Sequence, residues 1–186
     1  YDADSLILAN GSKASSVSGS DGSGYALAES LHHSIVPVYP ALTALKCKGS
    51  SFKAWAGVRT EGEISLFTDG KFCKSERGEL QLTEYGISGI PVFQISTYAV
   101  RAVREGHKAE LRINFMPELS EEELRKLLYA RKKACPYKKE KELLVGLFPE
   151  KLIKILISQK QVISAIREFP LEVQDGMSFS QAQVCS

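Results

Sequence analysis

The chain has few residues of the kinds that build metal sites and disulfide frameworks. Its 186 residues include four cysteines and three histidines, and no two cysteines are close enough in sequence to form a CxxC pair. Neither HExxH nor HxxxH occurs. In a chain of this length, these absences exclude a disulfide-rich secreted scaffold and argue against a zinc site. We expect reduced thiols, a cytoplasmic location and no bound metal.

The sequence also lacks long apolar runs and an excess of charge of either sign. No apolar run approaches the roughly 18 residues that a membrane-spanning helix needs. Basic and acidic side chains number 24 and 22, so the net charge is +2. A balance this even provides no global argument for a nucleic-acid or membrane partner. With 44% hydrophobic and 25% charged residues, the composition is that of one large or two small globular domains.

An apolar run and a glycine-rich stretch come first along the chain. Residues 5–9 (SLILA) predict a strand that is covered on both faces. Residues 10–24 are rich in glycine and serine. That composition is compatible with a linker, or with a loop that lets a ligand approach its backbone. Apolar residues at helical spacing then predict a helix over residues 24–33.

The middle of the chain predicts short strands, then one helix and one longer strand. Between residues 35 and 84, Asp69-Gly70 and Arg77-Gly78 predict hairpin turns, the second between strands at residues 71–76 and 79–84. A helix is predicted over residues 92–104, and residues 108–115 alternate as a half-buried strand does. Short strands at this spacing are typical of a small barrel or sandwich.

The last third of the chain predicts helices and then a return to strands. Residues 117–168 have helical patterns, and Ser120 and Glu123 have the spacing of a capping box. Alternation returns at residues 169–173 and again at residues 182–185. Because the first and last predicted strands have no neighbours to pair with, we expect the chain to be a piece of a larger protein. A natural domain with an edge strand at each end is the alternative.

Motifs for nucleotide binding and nucleophilic catalysis are absent. Neither GxGxxG nor GxxxxGK[ST] occurs, and Ser88 is not part of a GxSxG motif. Residues 131–160 carry nine basic and three acidic side chains, a local charge of +6. This stretch is compatible with a phosphate-binding surface or with a solvated helical face. The scarcity of aromatic side chains between the lysines favours the solvated face.

Several runs of the sequence, in order, resemble the middle part of a known family. They are residues 3–12, residues 18–25 (SGSDGSGY), residues 40–42 (PAL), residues 78–89, which end in TEYGISG, and residues 169–184. On these runs the chain resembles the BaiN/YhiN-like flavoproteins, which are FAD- and NAD(P)-dependent oxidoreductases. In that family a large insert interrupts a Rossmann-type FAD domain.

The resemblance implies an α+β fold with a flattened antiparallel β-barrel and an inserted helical subdomain. Residues 1–33 would be a remnant of the FAD-binding domain, made of a strand, a glycine-rich loop and a helix. Residues 34–116 and 168–186 would form the barrel, and residues 117–167 the helical subdomain. The terminal strands would be left over from the Rossmann-like FAD domain.

The resemblance also implies which residues face the cofactor and the substrate. The family's Ala-Thr-Gly-Gly turn corresponds to residues 9–12, where Asn10 and Ser12 depart from the pattern. Its glycine loop corresponds to residues 18–25, with the aspartate displaced to Asp21. The implied FAD-binding residues are Ala9, Asn10, Gly11, Gly19, Ser20, Gly22 and Gly24. The residues implied to face the substrate are Glu84, Tyr85, Gly86, Ser88 and Gly89, of which Tyr85 is the candidate proton donor.

Most of the implied FAD site would lie outside this chain, because the family's two other FAD-binding segments have no counterpart here. We therefore expect FAD in the parent protein, NAD(P)H as its reductant, and no cofactor on this segment alone. The implied partners are the rest of the FAD-binding domain in the same polypeptide and a small-molecule substrate. Neither a membrane nor a nucleic acid is expected.

Three functions follow as hypotheses. The first is a fragment of a flavoprotein oxidoreductase, in which the insert forms a substrate lid and pocket wall over the flavin. The alternative is a non-catalytic module that binds nucleic acid or a protein partner through the basic helical patch. A purely structural or oligomerising role is the third.

Overall fold

Eight strands organise the part of the chain that is described, residues 3–49 and 51–186 of a computed structural model. Six of them close into an antiparallel barrel in the order β2-β5-β4-β3-β6-β7, and β1 pairs with β8. The prediction of an α+β fold with an antiparallel barrel is therefore confirmed. The strands are β1 (Pro40–Ala41), β2 (Leu45–Cys47), β3 (Arg59–Thr68), β4 (Lys71–Thr83), β5 (Gly86–Ser88), β6 (Ala109–Asn114), β7 (Phe169–Gly176) and β8 (Val184–Cys185).

Alternation of side chains places one face of each long strand inside the barrel. In β6, Ala109, Leu111 and Ile113 are buried and the residues between them are half-buried. Ile64 and Leu66 of β3 lie in the same core. Because successive side chains of a strand point to opposite faces, this pattern follows directly from the sequence.

Six α-helices and three short 3-10 helices complete the described part of the chain. Among the described residues, no helix combines the length and the hydropathy needed to cross a membrane. The α-helices are α1 (Ser23–Ser30), α2 (Ile90–Arg104), α3 (Glu121–Ala134), α4 (Glu140–Leu143), α5 (Glu150–Ile157) and α6 (Val162–Arg167).

Helix α2 packs against the barrel and contacts all six of its strands. Its buried face includes Val92, Ile95, Ala99 and Val100, each fully buried. The helix begins two residues before the predicted start, with Pro91 in its first turn, where a proline costs no helical hydrogen bond. The barrel strand β5 directly precedes the helix in the chain, so the start of α2 lies next to the end of β5.

Helices α3 to α6 all lie between β6 and β7 in the chain. The predicted capping box is confirmed: Glu123 N–H donates to Ser120 Oγ at 3.2 Å, and Ser120 N–H donates to Glu123 Oε2 at 2.8 Å. Leu124, which follows the box, is fully buried in a core that is continuous with the barrel. The division of the chain into three units stays a prediction.

The prediction of two strands at residues 71–76 and 79–84 is wrong, because β4 runs unbroken from Lys71 to Thr83. Gly78 lies opposite Gly62 in the ladder of β3 and β4, and its φ of 148° is one that glycine adopts readily. A Cβ atom there would lie 3.2 Å from Pro91. Gly78 thus lets α2 approach the strand and does not turn the chain. The turn predicted at residues 69–70 is confirmed and joins β3 to β4.

The prediction of a strand at residues 5–9 is also wrong. Described residues 3–9 have no regular secondary structure, and Ile7 is 88% exposed. A strand is held by hydrogen bonds to a neighbouring strand, and no described strand pairs with these residues. At the other end of the chain, Val184 and Cys185 do form a strand, opposite Ala41 and Pro40.

Candidate functional site

The structure brings together the two segments that sequence analysis assigned to the cofactor. The Asn10 side chain donates a hydrogen bond from Nδ2 to Ser23 Oγ at 3.3 Å. A Cβ atom on Gly24 would lie 2.3 Å from Asn10 Oδ1, so the amide rests directly on the glycine backbone. A Cβ atom on Gly11 would lie 2.6 Å from the Cβ of Ser20. The turn at residues 9–12 and the loop at residues 18–25 therefore form one packed unit, which we call the glycine-loop unit.

Three residues that the site prediction did not include also belong to this unit. Lys13 Nζ lies 5.6 Å from the centroid of the Tyr25 ring. A Cβ atom on Gly22 would lie 2.5 Å from the Cγ of Lys13. Partial burial raises the pKa of the Tyr25 hydroxyl, and the neighbouring Cys185 thiol adds to the shift. Only the tertiary structure places Cys185 here, because it is distant in sequence.

The start of α1 lies within the glycine-loop unit, and the carboxylate of Asp21 already accepts a hydrogen bond from its backbone. Ser23 N–H donates to Asp21 Oδ1 at 2.8 Å, and this hydrogen bond lowers the pKa of the Asp21 carboxyl. A carboxylate at a helix start stabilises it and repels a second anion. A Cβ atom on Gly19 would have no other atom within 4 Å, and its φ is 91°. The unit therefore offers open backbone to a hydroxyl-rich ligand more than to a phosphate.

The glycines predicted to face the substrate are explained in part by strand packing. A Cβ atom on Gly86 would lie 2.4 Å from the Leu45 carbonyl oxygen, where β5 pairs with β2. A Cβ atom on Gly89 would lie 2.5 Å from the Glu79 carbonyl oxygen. These two glycines are needed for close backbone approach inside the barrel, whatever else they contact.

Strand β5 separates the predicted substrate-facing residues into two places. Tyr85 lies before the strand, where its carbonyl accepts a hydrogen bond from Cys47 N–H at 2.9 Å. Ser88 and Gly89 lie at the other end, next to the start of α2. Three strand residues span about 10 Å. Tyr85 and Glu84 are therefore not adjacent to Ser88 and Gly89.

A groove of about 400 Å³ lies at the Ser88 end of β5. We call it the α2-start groove. Its walls come from β3, β4, β5 and the first turn of α2. The residues that line it are Arg59, Arg77, Gly78, Glu79, Gln81, Ser88, Gly89, Ile90, Pro91 and Phe93.

The connection between the two segments of the glycine-loop unit makes a hydrogen bond to the C-terminal part of the chain. Ser15 N–H donates to the Phe179 carbonyl at 3.1 Å. Among the hydrogen bonds between described residues, none joins residues 10–25 to residues 84–89. The structure thus unites the predicted cofactor-binding residues with one another. No hydrogen bond between described residues joins them to the predicted substrate-facing residues.

A larger cleft of about 660 Å³ lies among helices α3, α4 and α6. Its two arginines are already engaged, since Arg125 contacts Glu121 at 2.6 Å and Arg167 donates to the Leu119 carbonyl. In the described part of the chain, no group of three or more histidine, cysteine or carboxylate side chains is placed to hold a metal ion. We assign no site to this cleft.

Several side chains of the basic stretch hold the protein together. Arg131 donates to the Val145 carbonyl at 2.6 Å, and Lys132 donates to the Lys138 carbonyl at 2.9 Å. Lys151 donates to the Ala56 carbonyl at 2.8 Å, and so ties α5 to the barrel. These contacts give the lysines and arginine a structural role. The binding module that uses the basic patch stays a prediction without a specific observation in its favour.

Two comparisons with known proteins follow from the sequence. Residues 39–175 match the family model described as the HI0933-like protein barrel and H2TH domain. The whole chain is 39% identical, over 203 aligned positions, to the 3-dehydro-bile acid delta(4,6)-reductase of Clostridium scindens. The chain spans about half the length of that curated relative. The matched barrel region contains the α2-start groove, while the glycine-loop unit lies before it in the chain.

Proposed function

The chain belongs to the family of HI0933-like proteins with a barrel and H2TH domain, and we propose that it is a segment of a cytoplasmic, flavin-dependent oxidoreductase. The observation that carries the proposal is the packing of residues 9–12 against residues 18–25. These are the two segments that correspond to FAD-contacting motifs in the flavoproteins that the sequence resembles. The reductase activity named for the relative supports the same class of reaction.

The glycine-loop unit has groups that fit part of an FAD molecule. Gly19 leaves its backbone open, and the Asn10 amide and the Ser20 hydroxyl can donate to and accept from ribityl or ribose hydroxyls. Asp21 can accept from such hydroxyls too, whereas it disfavours a pyrophosphate at the start of α1. Bound FAD would supply the hydride chemistry, with NAD(P)H as the reductant. The residues of this chain would orient one side of the cofactor.

Exposed apolar side chains in residues 6–36, the part of the chain that includes the glycine-loop unit, support a partner within the same polypeptide. Seven large apolar side chains are exposed in this short segment, and exposed apolar surface of this kind is typical of an interaction site. We propose that the rest of the FAD-binding domain covers them. The exposed side chains are those of Leu6, Ile7, Leu8, Val17, Leu27, Leu31 and Val36.

The barrel would form a wall and lid over the flavin. In this arrangement Ser88 and Gly89 would face the substrate from the α2-start groove. Glu84, Tyr85 and Gly86 would lie at the far end of β5, where Tyr85 is the candidate proton donor. A substrate that reaches both ends of β5 must span about 10 Å along the strand.

An FAD titration followed by flavin fluorescence tests the proposal. It compares this 186-residue chain with the full-length polypeptide that contains it. We expect stoichiometric FAD on the full-length protein and none on the segment, because the segment supplies one side of the site. Exchange of Asn10 for leucine in the full-length protein should weaken binding. A full-length protein that binds no FAD at micromolar concentration would sink the proposal.

A further inference from the structure

The α2-start groove has an apolar floor and an open mouth. Ile90, Pro91 and Phe93 of α2 provide apolar side chains, and Gly78 and Gly89 also line the groove. Ile90 is 71% exposed although it is a large aliphatic residue. Ligand pockets are mostly apolar, with a few polar groups that set the orientation of the ligand. The groove has this composition and a volume within the range of small-molecule sites.

The charged residues of the groove favour an anionic ligand. Two arginines and one glutamate line it. Arg59 is paired with that glutamate, Glu79, at 2.8 Å. Arg77 is paired with Glu118, which does not line the groove. Arg77 is therefore the positive charge that the groove does not neutralise with its own residues.

The ion pair between Arg77 and Glu118 can be exchanged at low cost. The two side chains are 50% and 60% exposed. Exposed ion pairs contribute about 0–1 kcal/mol, because water already solvates both charges. A carboxylate that enters the groove can therefore replace Glu118 as the partner of Arg77. The planar guanidinium can bind it through two parallel hydrogen bonds.

The pairing of the strands indicates where the α2-start groove lies relative to the glycine-loop unit. Ile87 of β5 is paired with Leu45 of the antiparallel strand β2. The residues that follow Ile87 therefore lie beside those that precede Leu45. Residues 40–41 form β1, which pairs with β8, and Cys185 of β8 is the residue next to Tyr25. The groove and the glycine-loop unit thus lie toward the same end of the barrel.

We propose that the α2-start groove binds the substrate, an apolar carboxylic acid, and that Arg77 binds its carboxylate. This inference rests on the proposed oxidoreductase function. It assigns specificity for the acid to Arg77 and binding of the apolar body to Ile90, Pro91 and Phe93. Arg77 would contact only the carboxylate, so it is a specificity-determining residue and takes no part in hydride or proton transfer.

The test uses the full-length polypeptide with Arg77→Gln and a matched control, Arg101→Gln. Arg101 is also exposed and paired with a glutamate, Glu105 at 3.0 Å, but it lies outside the groove. The substrates are the 3-dehydro-bile acid named for the relative and its methyl ester. We expect Arg77→Gln to raise KM about fivefold for the acid, with little change in KM for the ester, because one exposed charge contact is worth about 1 kcal/mol. The value of kcat should not change for either substrate.

Two further variants sharpen the assignment. Arg77→Lys keeps the charge but loses the paired hydrogen bonds of the guanidinium, so it should recover only part of the affinity for the acid. Ile90→Ala should raise KM for acid and ester alike, since it removes apolar contact from both. A wild-type KM for the acid in Arg77→Gln, or an equal rise for acid and ester, would overturn the role of Arg77.

Equilibrium dialysis of the acid against wild type and Arg77→Gln separates this inference from the proposed function. Weaker binding by the variant supports the groove even if the protein reduces nothing, in which case only the oxidoreductase proposal fails. Reductase activity with equal binding by both proteins contradicts the groove alone. Failure of the wild type to bind the acid at millimolar concentration also contradicts it.

Discussion

The barrel and the segment at residues 3–36 are opposite cases of how apolar residues are used. Inside the barrel, residues such as Leu66 and Leu111 are fully buried. In residues 3–36, only Ala14 and Gly22 are buried, although the segment includes the apolar run at residues 6–8. The sequences of the two regions are both rich in apolar residues. They differ in whether the described chain contains a surface to cover them.

The comparison teaches that apolar content predicts burial only where partners exist. The barrel closes on itself, so each strand has two neighbours and an interior to face. The segment at residues 3–36 contacts Phe179 and Cys185, and most of its described side chains are exposed. Stability of this chain should therefore depend mainly on the barrel.

Exchange of a buried leucine should separate the two regions most strongly. Leu111→Ala removes a fully buried side chain from β6 and should lower the free energy of unfolding by about 2–5 kcal/mol. Leu6→Ala, in the exposed segment, should change it by less than about 0.5 kcal/mol. Urea unfolding followed by the fluorescence of Trp55 measures both. Equal losses in the two variants would show that the segment is part of the cooperative core.

Glycine exchanges test the same contrast through the backbone. Gly86→Ala places a Cβ atom 2.4 Å from the Leu45 carbonyl at a φ of 148°. The clash and the strain together should cost about 2–4 kcal/mol. Gly19→Ala meets only the strain of a φ of 91° and should cost at most about 1–2 kcal/mol. Thermal unfolding measured by circular dichroism gives the two values, and a Gly19→Ala loss as large as that of Gly86→Ala contradicts the contrast.

Removal of the carboxylate charge at each of two helix starts should give the smallest difference in stability between the two regions. Hydrogen bonds from Ser120 lower the pKa of Glu123 at the start of α3, and one from Ser23 lowers the pKa of Asp21 at the start of α1. A carboxyl whose pKa is lower in the folded state stabilises the fold above its unfolded pKa. That contribution is lost as the pH falls through the folded pKa.

Only the helix that is anchored in the core should transmit this loss to global unfolding. Leu124 of α3 is buried, whereas α1 buries no side chain. Glu123→Gln should reduce stability at pH 7 and converge with wild type below about pH 4, near the ordinary glutamate pKa. Asp21→Asn should match wild type across that range. Urea midpoints at pH 7 and pH 3 are the measurement, and a constant gap for Glu123→Gln would contradict the assignment.

Local sequence patterns were sufficient for several elements. Alternation of apolar residues predicted β6, and the spacing of Ser120 and Glu123 predicted the capping box. The capping box depends on contacts between residues close in sequence. The pattern of β6 depends only on one face of the strand being buried and the other being half-buried. The packing of residues 9–12 against residues 18–25 in the glycine-loop unit was expected only from the family resemblance. Nothing in the residues of either segment requires the two segments to meet.

Elements that depend on distant partners could not be predicted from local patterns. Gly78 resembled a turn residue, but its opposite neighbour Gly62 and the nearby Pro91 keep it inside a straight strand. Residues 5–9 have the composition of a buried strand but no strand pairs with them in the described structure. The α2-start groove includes residues from β3, β4, β5 and α2, which no sequence window contains.

The sequence by itself determined that the chain forms helices with defined starts, alternating strands, and no long apolar span. Hydrogen bonding and side-chain direction within a few residues are enough for these features. The tertiary structure decided which glycines are packing contacts, that Cys185 lies beside Tyr25, and that β5 separates Tyr85 from Ser88. Strand pairing and packing between distant segments determine these features, because they bring together residues that are far apart in the chain.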